Sequence, residues 1–243
     1  MAESLQRGKY RKLETAIIAT TLCFALLPIL VAGLVIPPRF SDLYHQKAVR
    51  EVEHVARSKG RTIDVFLGER TAQLRSLAEM FTFEELTAPG QLPRILRAIK
   101  TGSRSYVDLG IIDMDGRHVA YAGAYDISEV NYQNELWFAE VKRTGVFISD
   151  VFMGFRNFPH IIIAVMREEE GRFWILRATI DSAVFTSIVQ DSRLSAGGDA
   201  FVLNADGHLQ TESLLAGHVM TPVSVPWPRQ GASISEERLN GKD

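Results

Sequence analysis

The chain has 243 residues, enough for one large domain or two small ones, and its hydrophobic content of 46% lies in the globular range. Its 27 basic and 29 acidic side chains give a formal net charge of −2 at pH 7, which argues against a nucleic-acid-binding surface. Because Cys23 is the single cysteine, an intrachain disulfide and a cysteine-based metal site are excluded.

The N-terminal region has the pattern of a membrane anchor. Residues 1–15 are short and basic, and the segment Ala16–Ile36 after them contains no charged residue. As a helix this segment is roughly 31 Å long, close to the hydrocarbon thickness of a bilayer. A cleaved signal peptide is the alternative, but its apolar core is shorter and ends in a small-residue site. The sequence therefore predicts a transmembrane helix over 16–36, with a cytoplasmic N-terminus at residues 1–15 and a periplasmic remainder anchored in the inner membrane.

A long amphipathic helix is predicted next, over residues 41–86, after Pro37-Pro38 ends the membrane helix. Its apolar residues recur at three- and four-residue spacing, with charged residues between them. Such a face packs either on its own domain or on a second copy of the chain. Homodimer pairing through this stalk is slightly favoured near its membrane end.

Residues 106–181 are predicted to form an antiparallel sheet of five strands. The strand-like runs are Tyr106–Ile112, a run through Val119 and Tyr121, Val146–Phe152, His160–Met166 and Phe173–Ile180. A polar stretch with a helical centre, Asn134–Lys142, interrupts them and is placed to cover one sheet face. A covered sheet face is a natural small-molecule pocket. Short helices are also expected over Leu92–Lys100 and Ser182–Gln190, which makes the fold class α+β.

An Asp-Gly turn follows an apolar strand twice, and the turn glycines Gly116 and Gly207 are 91 positions apart. One repeated hairpin suggests that a second module of the same kind starts at about Gly197. The chain becomes irregular from Ala216, so this module, residues 197–243, looks unfinished.

These features together resemble a known family. The chain resembles the double Cache domain in the anchor, the long helix, the Asp-Gly hairpin, Trp137-Phe138 on a helix, Pro159 before a strand and a strand ending in Asp181. This is a PAS-like extracytoplasmic sensor domain of bacterial histidine kinases and chemoreceptors. The resemblance implies a membrane-distal ligand-binding module, here 92–190, and a membrane-proximal module. A second membrane helix and an effector normally follow, so the chain is expected to be a truncated product or a fragment.

In the amino-acid-binding members of that family, an Arg-x-Trp-Tyr motif lies on the inserted helix. Its Arg holds the ligand carboxylate, and a later Asp holds the amine. Trp137 and Phe138 match the aromatic pair and Asp181 matches the acidic position, but Glu135 stands where the Arg is expected. A carboxylate there would repel a carboxylate ligand. The resemblance therefore implies a cationic or polar neutral ligand.

Several residues are candidates for contact with this ligand, each with an alternative role. Trp137 and Phe138 are core residues if they do not face a pocket. Asp181 is otherwise a helix N-cap, and Arg156 is either an anion clamp or a solvated side chain. The ligand is expected to contact the segment Tyr121–Phe138 and the strand Val146–Phe152. The remaining candidates flank the inserted segment or lie on or beside that strand: Tyr121, Tyr125, Tyr132, Glu135, Phe147, Ser149 and Phe155.

No motif for catalysis, for a cofactor or for a metal is present in the sequence. It has no Gly-rich loop with Lys-Ser/Thr, no His-Glu-x-x-His and no Gly-x-Ser-x-Gly, and its six histidines lack metal-ligand spacing. The chain is therefore predicted to be a non-enzymatic sensor portion of a transmembrane receptor that binds a small molecule. The alternative is an anchored extracytoplasmic scaffold or enzyme.

Overall fold

The computed structural model describes residues 2–127, 129–190 and 198–223, with side chains described except at 2–14, 29, 32–42 and 45. The chain divides into two units, Met1–His54 and Val55–Asp243. The part of the predicted second module beyond residue 223 lies outside the described residues.

The first helix, α1, extends over Ala2–Met80. The predicted break at Pro37-Pro38 is wrong, because the helix continues through both prolines. Proline fixes φ near the helical value and removes a hydrogen bond, so it weakens a helix without ending it in every case. No helix in the described ranges has a stretch long and apolar enough to span a membrane. Part of the segment 16–36, for which a membrane helix was predicted, lies outside the described side chains.

A five-stranded antiparallel sheet forms the centre of the second unit. Its strands are β1 (Tyr106–Ile112), β2 (His118–Ala122), β3 (Val146–Ile148), β4 (His160–Glu169) and β5 (Arg172–Asp181). Their order in the sheet is β2-β1-β5-β4-β3. The five predicted strands are all present, although β3 ends at Ile148, and Phe152 pairs with His160 on β4 only as an isolated bridge.

Two hydrophobic layers explain why β4 and β5 are apolar on both faces. On one face, the C-terminal part of α1 and α3 (Gln91–Gly102) pack against strand residues such as Leu176 and Ile163. On the other, α4 (Leu136–Thr144) packs against residues of the opposite parity, among them Ile175 and Ile162. A strand covered on both faces reads as a continuous apolar run rather than an alternating one.

Short helices complete the unit. The helix α2 (Phe83–Thr87) begins with a capping box, in which Thr82 accepts from the Glu85 backbone and Glu85 accepts from the Thr82 backbone. The helix α5 (Ala183–Gln190) follows β5 directly. A 3₁₀ turn over Gly154–Arg156 lies between β3 and β4. This turn and α4 lie beside the sheet face on which the candidate site is built.

The two Asp-Gly turns share one hydrogen-bond scheme. Asp113 Oδ1 accepts from the backbones of Asp115 and Arg117, at 3.0 Å and 2.9 Å. Asn204 Oδ1 accepts in the same way from residues 206 and 208, at 3.1 Å and 2.8 Å. Gly116 and Gly207 have φ values of 80° and 82°, and both carbonyls accept from a backbone N–H further along the chain. The two turns therefore make the same side-chain to backbone hydrogen bonds, while a complete second module stays a prediction.

The segment 198–223 is joined to the sheet unit by side-chain hydrogen bonds. Gln210, which is buried, accepts through Oε1 from the backbone N–H of Val151 at 2.7 Å. Asn204 donates to Asp150 at 3.0 Å, and the Thr186 hydroxyl on α5 accepts from the Glu212 backbone. The segment therefore contacts the chain just before the 3₁₀ turn.

Candidate functional site

A cavity of about 230 Å³ opens between β5, the start of α4 and the loop that carries the 3₁₀ turn. Ligand pockets in proteins commonly exceed about 300 Å³, so this cavity suits a small molecule. Aromatic rings and charged groups line it together: Tyr132, Glu135, Trp137, Phe152, Gly154, Phe155, Arg156 and Arg177.

Arg177 on β5 supplies a buried positive charge to the cavity. Its side chain donates to the Tyr132 hydroxyl at 2.7 Å and to the Thr179 hydroxyl at 3.3 Å, and the residue is 2% exposed. Its guanidinium carbon lies 4.9 Å from the Tyr132 ring centre and 5.5 Å from that of Trp137. Its Nε has no hydrogen-bond partner among the described residues. Burial is the main cause that lowers the pKa of Arg177.

No ion pair within 4.0 Å involves Arg177 in the part of the chain that the structure describes, so its guanidinium has no counter-ion there. The nearby carboxylate of Asp108 is already bound by Arg156, at 2.6 Å and 2.9 Å. The Tyr121 hydroxyl donates to the same carboxylate at 3.4 Å. Asp108, Arg156 and Arg177 together therefore carry one uncompensated positive charge. Burying such a charge without a partner is costly, and an anionic ligand would relieve that cost.

Tyr132 connects Arg177 to a histidine. Its hydroxyl accepts a hydrogen bond from Arg177 and lies 3.1 Å from Nε2 of His118, so the hydroxyl can donate its own hydrogen bond to His118. The rings of Tyr132 and His118 also make an edge contact, with centres 5.2 Å apart. Burial, followed by the charge of Arg177, lowers the pKa of His118 to about 4. His118 is therefore neutral at pH 7, and its Nε2 accepts a hydrogen bond from the Tyr132 hydroxyl.

Glu135 brings a negative charge to the same cavity. It is the N-cap residue of α4, yet its side chain makes no capping hydrogen bond. The residue is partly exposed, in contrast to Arg177. No ion pair or side-chain hydrogen bond of Glu135 occurs among the described residues. Its carboxylate is thus available to a ligand.

Five of the residues that the sequence suggested line this cavity together: Tyr132, Glu135, Trp137, Phe155 and Arg156. Arg156 is neither solvated nor a free anion clamp, because Asp108 occupies its guanidinium. Trp137 lines the cavity and is also part of the hydrophobic layer under α4.

The other suggested residues lie elsewhere. Phe138 is buried in the layer under α4, Phe147 packs against it, and the Ser149 hydroxyl accepts from the Ile162 backbone. Tyr125 is stacked on Phe158 with ring centres 5.5 Å apart, and Tyr121 contacts Asp108 behind the cavity.

Asp181 also lies outside the cavity lining. It caps α5 by accepting from the Ala183 backbone at 2.9 Å. Its side chain ends β5 where the chain turns into that helix, so the N-cap role weighed from the sequence is the one observed.

Sequence reasoning missed Gly154 and Arg177 as cavity residues. Arg177 could have been found, because it is the one charged residue in the apolar run from Phe173 to Ile180. A charge inside a strand that is covered on both faces is costly and needs a reason. Gly154, on the loop, carries no such pattern.

Among the described residues, no group of three or more His, Cys, Asp or Glu is arranged to hold a metal ion. The chemistry that the cavity offers is recognition by charge, hydrogen bonds and aromatic faces.

Solved structures share this fold. The ligand-binding domain of the Campylobacter jejuni chemoreceptor Tlp3, in complex with L-valine, matches with a TM-score of 0.58 and 12% identity, over 74% of this chain and 75% of that one. The corresponding domain of Pseudomonas fluorescens CtaA with L-serine matches at 0.55 and 14%, over 73% and 77%. The Pseudomonas aeruginosa PctC domain with GABA matches at 0.55 and 12%, over 71% and 78%.

No family model matches the sequence, and no curated protein matches it. At 11–14% identity the structural likeness establishes the fold alone. The chain has the fold of chemoreceptor ligand-binding domains, which confirms the fold expected from its resemblance to the Cache sensors.

Proposed function

We propose that this chain is the extracytoplasmic ligand-binding portion of a transmembrane receptor, and that it binds a small molecule carrying an anionic group. The observation that carries the proposal is the buried guanidinium of Arg177, which faces the cavity without a counter-ion in the described residues. Charge-assisted hydrogen bonds to a carboxylate are among the strongest that a protein makes. The proteins that share the fold bind L-valine, L-serine and GABA, all of which carry a carboxylate.

An anionic group replaces the cationic or polar neutral ligand that the sequence suggested. That expectation depended on two carboxylates, Glu135 and Asp181, and the alternative was an anion site at Arg156. Asp181 caps α5 instead, and Arg177 supplies a positive charge that would repel a cation in a poorly solvated cavity.

The receptor is anchored, in this proposal, by the uncharged segment Ala16–Ile36. The described apolar side chains of that segment are exposed, among them Leu22, Phe24 and Leu30, at 56%, 82% and 61%. A lipid environment would remove such a surface from water. Pairing of two copies along α1 and an effector of the chemoreceptor or histidine kinase type complete the proposal.

A thermal-shift experiment on the full chain in detergent micelles tests the ligand class. Small monocarboxylates, amino acids and amines serve as probes. Carboxylate-bearing probes should raise the melting temperature, and Arg177→Gln should abolish the rise. Arg167→Gln, on the neighbouring strand β4, is the control and should leave it intact. Stabilisation by amines that persists in Arg177→Gln would contradict the proposal.

A protein-binding scaffold is the competing function. A cavity with converging charged groups favours the sensor over the scaffold, which would fill this space with its own side chains.

A further inference from the structure

Two opposite charges face the ligand cavity, and neither is paired in the described part of the chain. The guanidinium of Arg177 comes from β5, and the carboxylate of Glu135 comes from the start of α4. The two groups form no ion pair with each other within 4.0 Å, so the cavity remains open between them.

The two charges also differ in depth. Arg177 is 2% exposed, whereas Glu135 is partly exposed and has no capping hydrogen bond to hold it on the helix. A ligand whose anionic group reaches Arg177 therefore extends past Glu135 toward solvent. Whatever group the ligand carries at that end meets a carboxylate.

A second anionic group at this end would be repelled by Glu135, while a cationic group would be attracted. Discrimination by such a repulsive contact is a common route to specificity, because it penalises the wrong ligand without changing the contacts of the right one. The Tyr132 and Trp137 rings line the same cavity, with centres 4.9 Å and 5.5 Å from the Arg177 guanidinium carbon, and their burial reduces solvent screening of these charges.

We propose that Glu135 determines the ligand specificity of the cavity: it selects molecules with an anionic group for Arg177 and a cationic group at the other end, and it rejects dianions. This inference depends on the anion site proposed above. The charges are ordered in the opposite sense to the amino-acid-binding motif, in which the helix holds the carboxylate and the strand end holds the amine. A zwitterion would thus bind in the reverse orientation, with its anionic group at Arg177 on the strand and its cationic group at Glu135 on the helix.

Matched probes test the role of Glu135. Three sets differ only in the group that follows the same number of methylenes: propionate, glycine and malonate; butyrate, β-alanine and succinate; valerate, 4-aminobutyrate and glutarate. Titration calorimetry on the full chain in detergent should rank the amino acid first, the monoanion second and the dianion last in at least one set. We expect about a tenfold or larger difference between first and last, given the strength of a close charge pair near a protein surface.

The variant Glu135→Gln should reduce that difference to within about threefold, and Glu135→Lys should place the dianion first. The control Glu140→Gln changes an exposed carboxylate on the same helix and should keep the wild-type ranking. Near-UV circular dichroism and the melting temperature of each variant establish that it is folded.

The outcomes separate this inference from the proposed function. If probes bind through Arg177 but Glu135→Gln keeps the wild-type ranking, the specificity role is wrong and the anion site stands. If dianions bind wild type as well as the amino acids do, the specificity role is again wrong. If no probe of any set binds wild type, the inference is overturned, and Arg177-independent binding of another ligand class would overturn the proposed function as well.

Discussion

Asp108 and Arg156, 48 residues apart in the sequence, are joined by two hydrogen bonds of 2.6 Å and 2.9 Å, and each side chain is 1% exposed. The pair fixes the 3₁₀ turn of the cavity loop to β1, an interior strand of the sheet. Since Arg156 also lines the cavity, the position of that wall depends on a contact with a residue outside the cavity lining.

Breaking this pair from one side should be strongly destabilising. Asp108→Ala leaves the Arg156 guanidinium buried and unpaired, and we expect it to lower the free energy of unfolding by about 3–5 kcal/mol. Urea denaturation of the full chain in detergent measures the loss. The double variant Asp108→Leu/Arg156→Met removes both charges and should lose less than the single variant does. A double variant that is less stable than Asp108→Ala would contradict the assignment.

The two buried arginines should respond differently to the same change. Arg156→Met leaves the carboxylate of Asp108 unpaired and should cost about 3–5 kcal/mol of unfolding free energy. Arg177→Met removes a charge that has no counter-ion, so stability should stay within about 1 kcal/mol of wild type or rise, while carboxylate binding is lost. Equal losses in the two variants, measured by urea denaturation, would mean that Arg177 is a structural residue.

Stability should depend on pH through two histidines. Burial is the main cause that lowers the pKa of His118 and of His160, each to about 4, from an ordinary value of 6.5. Between these values the unfolded chain binds more protons than the folded one, so the unfolding free energy rises with pH from about 4 to 6.5 and falls as pH drops through this window. Above pH 6.5 these two histidines no longer change the unfolding free energy with pH.

The variant His118→Gln should make that dependence less steep, and the exposed His54→Gln should not. Urea midpoints at pH 5.0 and 7.5 give the comparison. If His118→Gln retains the full wild-type difference between the two pH values, His118 is not a source of it.

Two glycines with the same backbone conformation should differ in their tolerance of alanine. Gly116 and Gly171 have φ values of 80° and 78°, so a side chain is strained at both, by about 1–2 kcal/mol. A Cβ at Gly116 would also collide with the Gln133 backbone, whereas nothing lies within 4 Å at Gly171. We expect Gly116→Ala to lose at least about 1 kcal/mol more than Gly171→Ala in urea denaturation. Equal losses would show that the segment near Gln133 moves aside.

The sheet could be predicted from the sequence because its strands and turns are encoded locally. The apolar runs and the Asp-Gly turn located all five strands, and the helices over Leu92–Lys100 and Ser182–Gln190 were found within a few residues of their observed ends. The break at Pro37-Pro38 was wrong, since proline alone does not decide where a long helix ends.

The site was less predictable because its residues come from separate elements. Glu135 and Trp137 were found from one local motif and Tyr132 from its place beside the inserted segment, but Arg177 reaches the cavity only through the strand order. The sequence also could not show that Asp108 occupies Arg156, which leaves Arg177 as the unpaired cation of this group. The anionic ligand group that we propose depends on that pairing.

The cavity loop is held at both of its ends. Val151 is tied to the buried Gln210 and Arg156 to Asp108, so residues 152–155 lie between two fixed points. A span this short has little freedom to open as a lid, and Phe155, at 57% exposure, is the side chain best placed to move aside. Side-chain rotations of exposed residues take picoseconds to nanoseconds, whereas loop and lid opening takes up to milliseconds. Ligand entry should therefore be limited by diffusion and ring rotation, and occupancy of the proposed site should follow rapid changes in ligand concentration.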